Sequence, residues 1–166
     1  MAGLKNTFKV ASLMSYRVWE PVPPNGNLQL LTNQERKIST GVGVQKAVWN
    51  LDEIQHSLSR EPPLTVVYST SAQQSMSDTL GWNGSDMCKF ICQLTRGRYE
   101  GSRWCYAPKG STPHAADVYR MGYSRVQGRE NQRLSPWTYV KFSVVGSNLD
   151  KLFIFSAHPE GQFEGE

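Results

Sequence analysis

Two runs near the end of the chain, Trp137–Val145 and Leu149–Ala157, constrain its fold more than anything else in the sequence. Tyr139, Val140, Phe142, Val144, Phe153, Ile154 and Phe155 are aromatic or β-branched, the residue types that suit a pleated, half-buried surface. Gly146-Ser147-Asn148 separates the runs, which predicts a β-hairpin with a three-residue loop. A hairpin alone is marginal in water, so other elements have to cover or extend it.

The upstream chain offers both strands and helices. Thr7–Trp19 alternates, with Phe8, Val10, Met14, Tyr16 and Val18 on one parity, and reads as a strand. Pro21-Val22-Pro23-Pro24 stops it, because proline gives a ladder no N–H, and Asn25-Gly26 closes the linker with a turn. Val44, Ala47, Val48, Leu51, Ile54 and Leu58 follow at helical spacing, so the main amphipathic helix is predicted over about 44–59, ended by Pro62-Pro63. Trp49 falls opposite that apolar stripe. Leu64–Thr70 predicts a buried strand, Ser71–Ser77 a polar loop, and Thr79–Trp82 a short strand. At about 85–95, Met87, Phe90, Ile91 and Leu94 fit a second short helix capped by Ser85 and stopped at Gly97, while Phe90, Cys92 and Leu94 also fit a strand. Tyr99–Ala107 and Asp117–Val126 read as strands, Gly128–Pro136 as a polar, mobile loop. The predicted fold class is α+β, a mostly antiparallel sheet with helices packed on it. The predicted domain organisation is an N-terminal strand or extended segment with a proline-rich linker (1–26), one globular domain (27–157) and a flexible acidic tail (158–166).

With 166 residues the chain can bury a core without staples. No window approaches eighteen apolar residues, and residues 1–18 lack the compact apolar centre of a signal peptide, so a reducing compartment is expected, with Cys88, Cys92 and Cys105 as free thiols. Asn83-Gly84-Ser85 is a glycosylation sequon with no use there. Gly41-Val42-Gly43-Val44-Gln45-Lys46 hints at a phosphate loop. Lys46 stands where a dinucleotide fingerprint needs its third glycine, and the Gly-Lys-Ser/Thr ending of a P-loop is missing. Cys88 and Cys92 are four apart, without a zinc-knuckle spacing. No Gly-x-Ser-x-Gly elbow occurs, and a Cys–His pair formed in space is the catalytic option the sequence leaves open. The expectation is a protein that is not an enzyme and uses no cofactor or metal.

The strongest chemical bias lies in Arg96–Arg133. Arg96, Arg98, Arg103, Lys109, Arg120, Arg125, Arg129 and Arg133 face only Glu100, Asp117 and Glu130. Tyr99, Trp104, Tyr106, Tyr119 and Tyr123 are interleaved. Net charge +4 and pI near 9 point the same way. Cations between aromatic rings suit a polyanion, with Trp104 and Tyr106 as candidate stacking or partner contacts. Lys5, Phe8 and Lys9 are candidates for contact with an anionic membrane surface.

The layout resembles the matrix proteins of rhabdoviruses, especially the compact members from plant-infecting cytorhabdoviruses. The likeness rests on Pro21-Val22-Pro23-Pro24 ahead of the domain, on Ala47-Val48-Trp49 in a helix before the strand Leu64–Thr70, and on the aromatic strands Trp137–Ala157. It is one of element order. The Pro-Pro-x-Tyr budding motif is absent, since Asn25-Gly26 follows Pro23-Pro24, and the lysine-rich N-terminus is reduced to Lys5 and Lys9. The resemblance implies a viral structural protein that self-associates, condenses nucleocapsid through nucleoprotein or RNA, and touches the membrane during assembly, in the virion and host cytoplasm. Trp49, Pro21, Pro23 and Pro24 are then the candidate self-association contacts. Two other readings stay open: an RNA-binding regulatory protein such as a viral suppressor of RNA silencing, and a small viral coat protein.

Overall fold

The computed structural model describes residues 16–24, 31–32, 36–38, 46–60, 64–106, 112–146 and 148–161. Six strands form one sheet in the order β1 (Lys37–Ile38), β3 (Tyr99–Tyr106), β4 (Pro113–Met121), β7 (Thr138–Val145), β8 (Lys151–Pro159), β2 (Thr65–Tyr68). Neighbours run antiparallel except β2, which lies parallel to β8 at the edge. β5 (Tyr123–Ser124) and β6 (Arg129–Glu130) make a separate small hairpin. The class is therefore α+β, with a mostly antiparallel mixed sheet.

Three helices connect and cover these strands. α1 (Leu51–Leu58) is capped by Asn50, whose side chain accepts from the N–H of Glu53. α2 (Thr70–Ser75) is capped by Ser69 and runs on into a π-turn over Met76–Leu80, which Gly81 ends in a left-handed conformation at φ 67°. α3 (Gly84–Gln93) carries a reciprocal capping box between Asn83 and Asp86. Ile54, Ala72, Met76, Met87, Phe90 and Ile91 from the helices meet Tyr119, Met121, Val140, Phe142, Leu152 and Ile154 from the strands in one core. Trp82, Phe90 and Tyr123 close its end, with ring centroids 5.2–5.4 Å apart.

Several expectations change. The main helix begins at Leu51 and not near Val44, because the N–H groups of Val48 and Trp49 are held by Asp117 and the carbonyl of Val48 by Val18. Residues 39–45 lie outside the described residues. Ser71–Ser77 is helix, since Ser69 supplies the cap and Ala72 and Met76 the buried face. Thr79–Trp82 is the end of the π-turn and the loop after it. The second helix starts from Asn83, with Ser85 inside its first turn. Gly128–Pro136 holds β6 and is tied down by the Asn131 N–H on the Gly122 carbonyl at 2.8 Å. Gly122 allows this crossing, because a Cβ there would run into the carbonyl oxygen of Asn131. β8 continues through His158 to Pro159, past the expected start of the tail, because both residues still pair with β7.

The segment 16–24 packs on the domain and forms no long strand among its described residues. Arg17 bridges to Trp49, the Val18 N–H donates to Val48 O at 2.7 Å and the Asn50 N–H to Tyr16 O at 2.7 Å. Tyr16 also hydrogen-bonds Ser57 through its hydroxyl.

Candidate polyanion interface

Alternation along each strand sends successive side chains to opposite faces of the sheet. Ser102, Trp104, Ala115, Asp117 and Tyr119 share the inner face, because β3 and β4 pair Ser102 with Asp117 and Trp104 with Ala115. All three helices pack there. The outer face has its own small cluster, Cys105, Ala116 and Phe155 with Phe153 against it, and no described helix covers it.

Cations and rings occupy this outer face in cross-strand rows. Lys37 lies opposite Arg103, and Val118 opposite Lys141. Arg120, Tyr139 and His158 form a second row. Tyr139 and His158 stack with centroids 4.7 Å apart and planes 17° apart; Phe153 and Phe155 meet at 4.7 Å. Among the described residues, Lys37, Arg103 and Lys141 have no acidic partner. The acids nearby, Glu100 and Glu160, sit at one end and hold Arg120. Such a face has the parts for a chain of phosphates bearing flat bases: fixed charge, and rings that stack without regard to sequence.

The basic stretch Arg96–Arg133 does not form one surface. Arg96 pairs with Asp52. Arg98 donates to Glu130 at 2.7 Å and lies 5.0 Å over Trp137. Arg125 reaches Asp86 at 3.3 Å and the Gly81 carbonyl at 2.8 Å. Arg129 donates to Gln127 and Arg133 is exposed beyond β6. Arg103 and Arg120 are the two from the set that reach the outer face. Lys109 lies outside the described residues, as do Lys5, Phe8 and Lys9.

The aromatic candidates are placed differently from expectation. Trp104 is 8% exposed and part of the core, because its parity matches Ser102, so its ring offers no stacking face. Tyr106 packs against the same core. Trp49 is 3% exposed; its indole N–H donates to Ala115 O at 2.8 Å and the Arg17 guanidinium covers it at 5.2 Å, so it joins the segment 16–24 to the sheet. Pro21 is buried, Pro24 half-buried and Pro23 exposed.

Under Trp49 lies Asp117, fully buried. Its carboxylate accepts from Val48 N at 3.0 Å, Trp49 N at 2.9 Å and Ser102 Oγ at 2.5 Å. Burial pushes its pKa up to about 6, with the three donors pulling back. Lys37, Tyr139, Lys141, Phe153, Phe155 and His158 were missed as site residues. The signal was there in the parity of the last two strands, but which parity is outward depends on where the helices pack.

The Cys–His option can be placed too. Cys105 and His114 lie opposite one another on the outer face. Burial raises the thiol pKa despite Lys141, Arg36 and Arg103, and burial lowers that of the imidazole. The pair therefore holds a neutral thiol, and a thiolate is what nucleophilic attack requires. Cys88 and Cys92 are half-buried with pKa values raised by burial. Among the described residues no three metal-ligating side chains converge, and no helix is long and apolar enough to cross a membrane. Comparison with protein-family models, curated proteins and solved structures gave no match for this chain.

Proposed function

We propose that this protein is a noncatalytic structural protein of the matrix type that its element order resembles. It gathers polyanionic nucleocapsid, through RNA or acidic nucleoprotein, on the outer face of its sheet, packs beside copies of itself, and meets an anionic membrane surface. The observation that carries this reading is the outer face itself, with Lys37, Arg103 and Lys141 free of acidic partners among the described residues beside the half-buried, stacked Tyr139–His158 pair. A second reading, an RNA-binding regulatory protein acting as a discrete species, is favoured by the stacked Tyr139–His158 pair, which suits single-stranded bases.

Light scattering across protein concentration and salt, with and without RNA, separates the two. Growth into large assemblies at low salt without RNA is expected for the matrix reading. A small species of fixed size that binds RNA tightly at every concentration would replace it with the regulatory reading.

A further inference from the structure

On the helix side of the sheet, away from the open face, lies a cleft of about 400 Å³. Lys46, Arg96, Tyr99, Tyr119, Asn50 and Val18 are among its walls, and among the described residues no acid lines it, although Asp52 holds Arg96. Lys46 closes the glycine-rich run that starts at Gly41, the phosphate-loop hint that the sheet face leaves unused. Its backbone is fixed by Trp19, whose indole N–H donates to the Lys46 carbonyl at 3.0 Å, while its side chain is exposed. Arg96, also in the lining, is positioned by its pair with Asp52, which leaves other N–H groups of the guanidinium fork open. Tyr99 is fixed as well: its hydroxyl hydrogen-bonds Ser102 Oγ at 2.7 Å, and Ser102 in turn donates to Asp117 at 2.5 Å.

We propose that this cleft binds a nucleoside 5′-monophosphate, either free or as the 5′-terminal nucleotide of an RNA strand. Lys46 and Arg96 take the phosphate and the Tyr99 ring takes the base. The volume suits one small ligand, in a concave site with a few placed polar groups. Lys46 has no acidic partner among the described residues, and Arg96, although paired with Asp52, keeps N–H donors on a planar guanidinium that suits phosphate oxygens. A ring held rigid by a hydrogen-bond chain loses little freedom when a base stacks on it. The cleft and the open face are on opposite sides of the sheet, so the two readings stand or fall separately.

The test is titration of the full chain with the four common nucleoside 5′-monophosphates, with unphosphorylated nucleosides, and with a short RNA carrying either a 5′-phosphate or a 5′-hydroxyl. Binding is read by calorimetry and by fluorescence of Trp49, which lines the cleft. Saturable binding of the monophosphates is expected, weakened about tenfold or more by removing the phosphate and by Lys46→Ala or Arg96→Ala. Tyr99→Leu weakens it while Lys37→Gln leaves it unchanged. Tighter binding of the 5′-phosphate RNA than the 5′-hydroxyl form identifies a strand end as the source; equal binding of the two RNAs identifies the free nucleotide. Absence of saturation at millimolar monophosphate and no preference between the RNAs would overturn the proposal, as would undiminished binding by a folded Lys46→Ala, Arg96→Ala double variant.

Discussion

Asp117 sits in the middle of β4 between Ala116 and Val118, and its carboxylate fastens the chain at Val48 and Trp49 to the sheet. Its folded pKa, raised by burial to about 6 from 3.8, means that the folded state holds this proton more tightly than the unfolded state. The stability that protonation contributes is fully present below about pH 3.8 and is lost as pH rises through about 6. Asp117→Asn removes the titration. Wild-type stability relative to this variant is therefore expected to fall by about 2 kcal/mol from pH 4 to pH 7 in urea unfolding. Parallel stability curves for the two proteins would contradict the account. In the sequence Asp117 reads as one counter-charge within a basic stretch. Only its parity with Ala115, Tyr119 and Met121 hints that it points inward, and that hint needs the register to be known. Trp49 is a similar case, since a residue just ahead of a helix cap falls off the helical wheel altogether.

Elements were legible where local sequence alone decides them. The hairpin of β7 and β8 has both strands and its turn in one stretch, although the loop is longer than read: the strands stop at Val145 and resume at Lys151, with Leu149 at φ 48°. α3 was legible because its apolar spacing and its cap agree. The capping residue was misread, since Asn83 and Asp86 satisfy each other's backbone N–H at 3.0 Å while Ser85 does neither. Asn83→Ala is expected to cost about 1 kcal/mol in urea unfolding, and Ser85→Ala much less. Equal effects would contradict the assignment. α2 was not legible, because a polar stretch with two buried side chains looks like a loop until the sheet arrives beneath it. The parallel pairing of β2 with β8 was illegible for another reason: the partners are separated by about half of the chain, and nothing local records which strand will lie at the edge.

At the scale of the whole molecule, the fold sorts charge in a way that linear density does not. Arg96, Arg98, Arg120 and Arg125 look like one basic patch in sequence, yet each is drawn to a different acid: Asp52, Glu130, Glu160 and Asp86. Lys37 lies far ahead of the basic stretch in sequence and Lys141 lies outside it, yet the sheet brings both to the face that holds Arg103. The fold class was readable because periodicity is local, whereas the site was not, because facing is a property of the assembled layers. The outer face, and not the arginine-rich loops, is the polyanion surface we propose. It is tested most directly by fluorescence anisotropy with a single-stranded RNA across salt concentrations. The variant carrying Lys37→Gln, Arg103→Gln and Lys141→Gln is compared with one carrying Arg129→Gln and Arg133→Gln, both checked for folding by thermal melts. The open-face variant should bind about tenfold or more weakly, and its slope of log affinity against log salt should be shallower by about 2, since each lost phosphate contact removes roughly 0.7. The loop variant should stay close to wild type. A loss confined to the loop variant would contradict the claim.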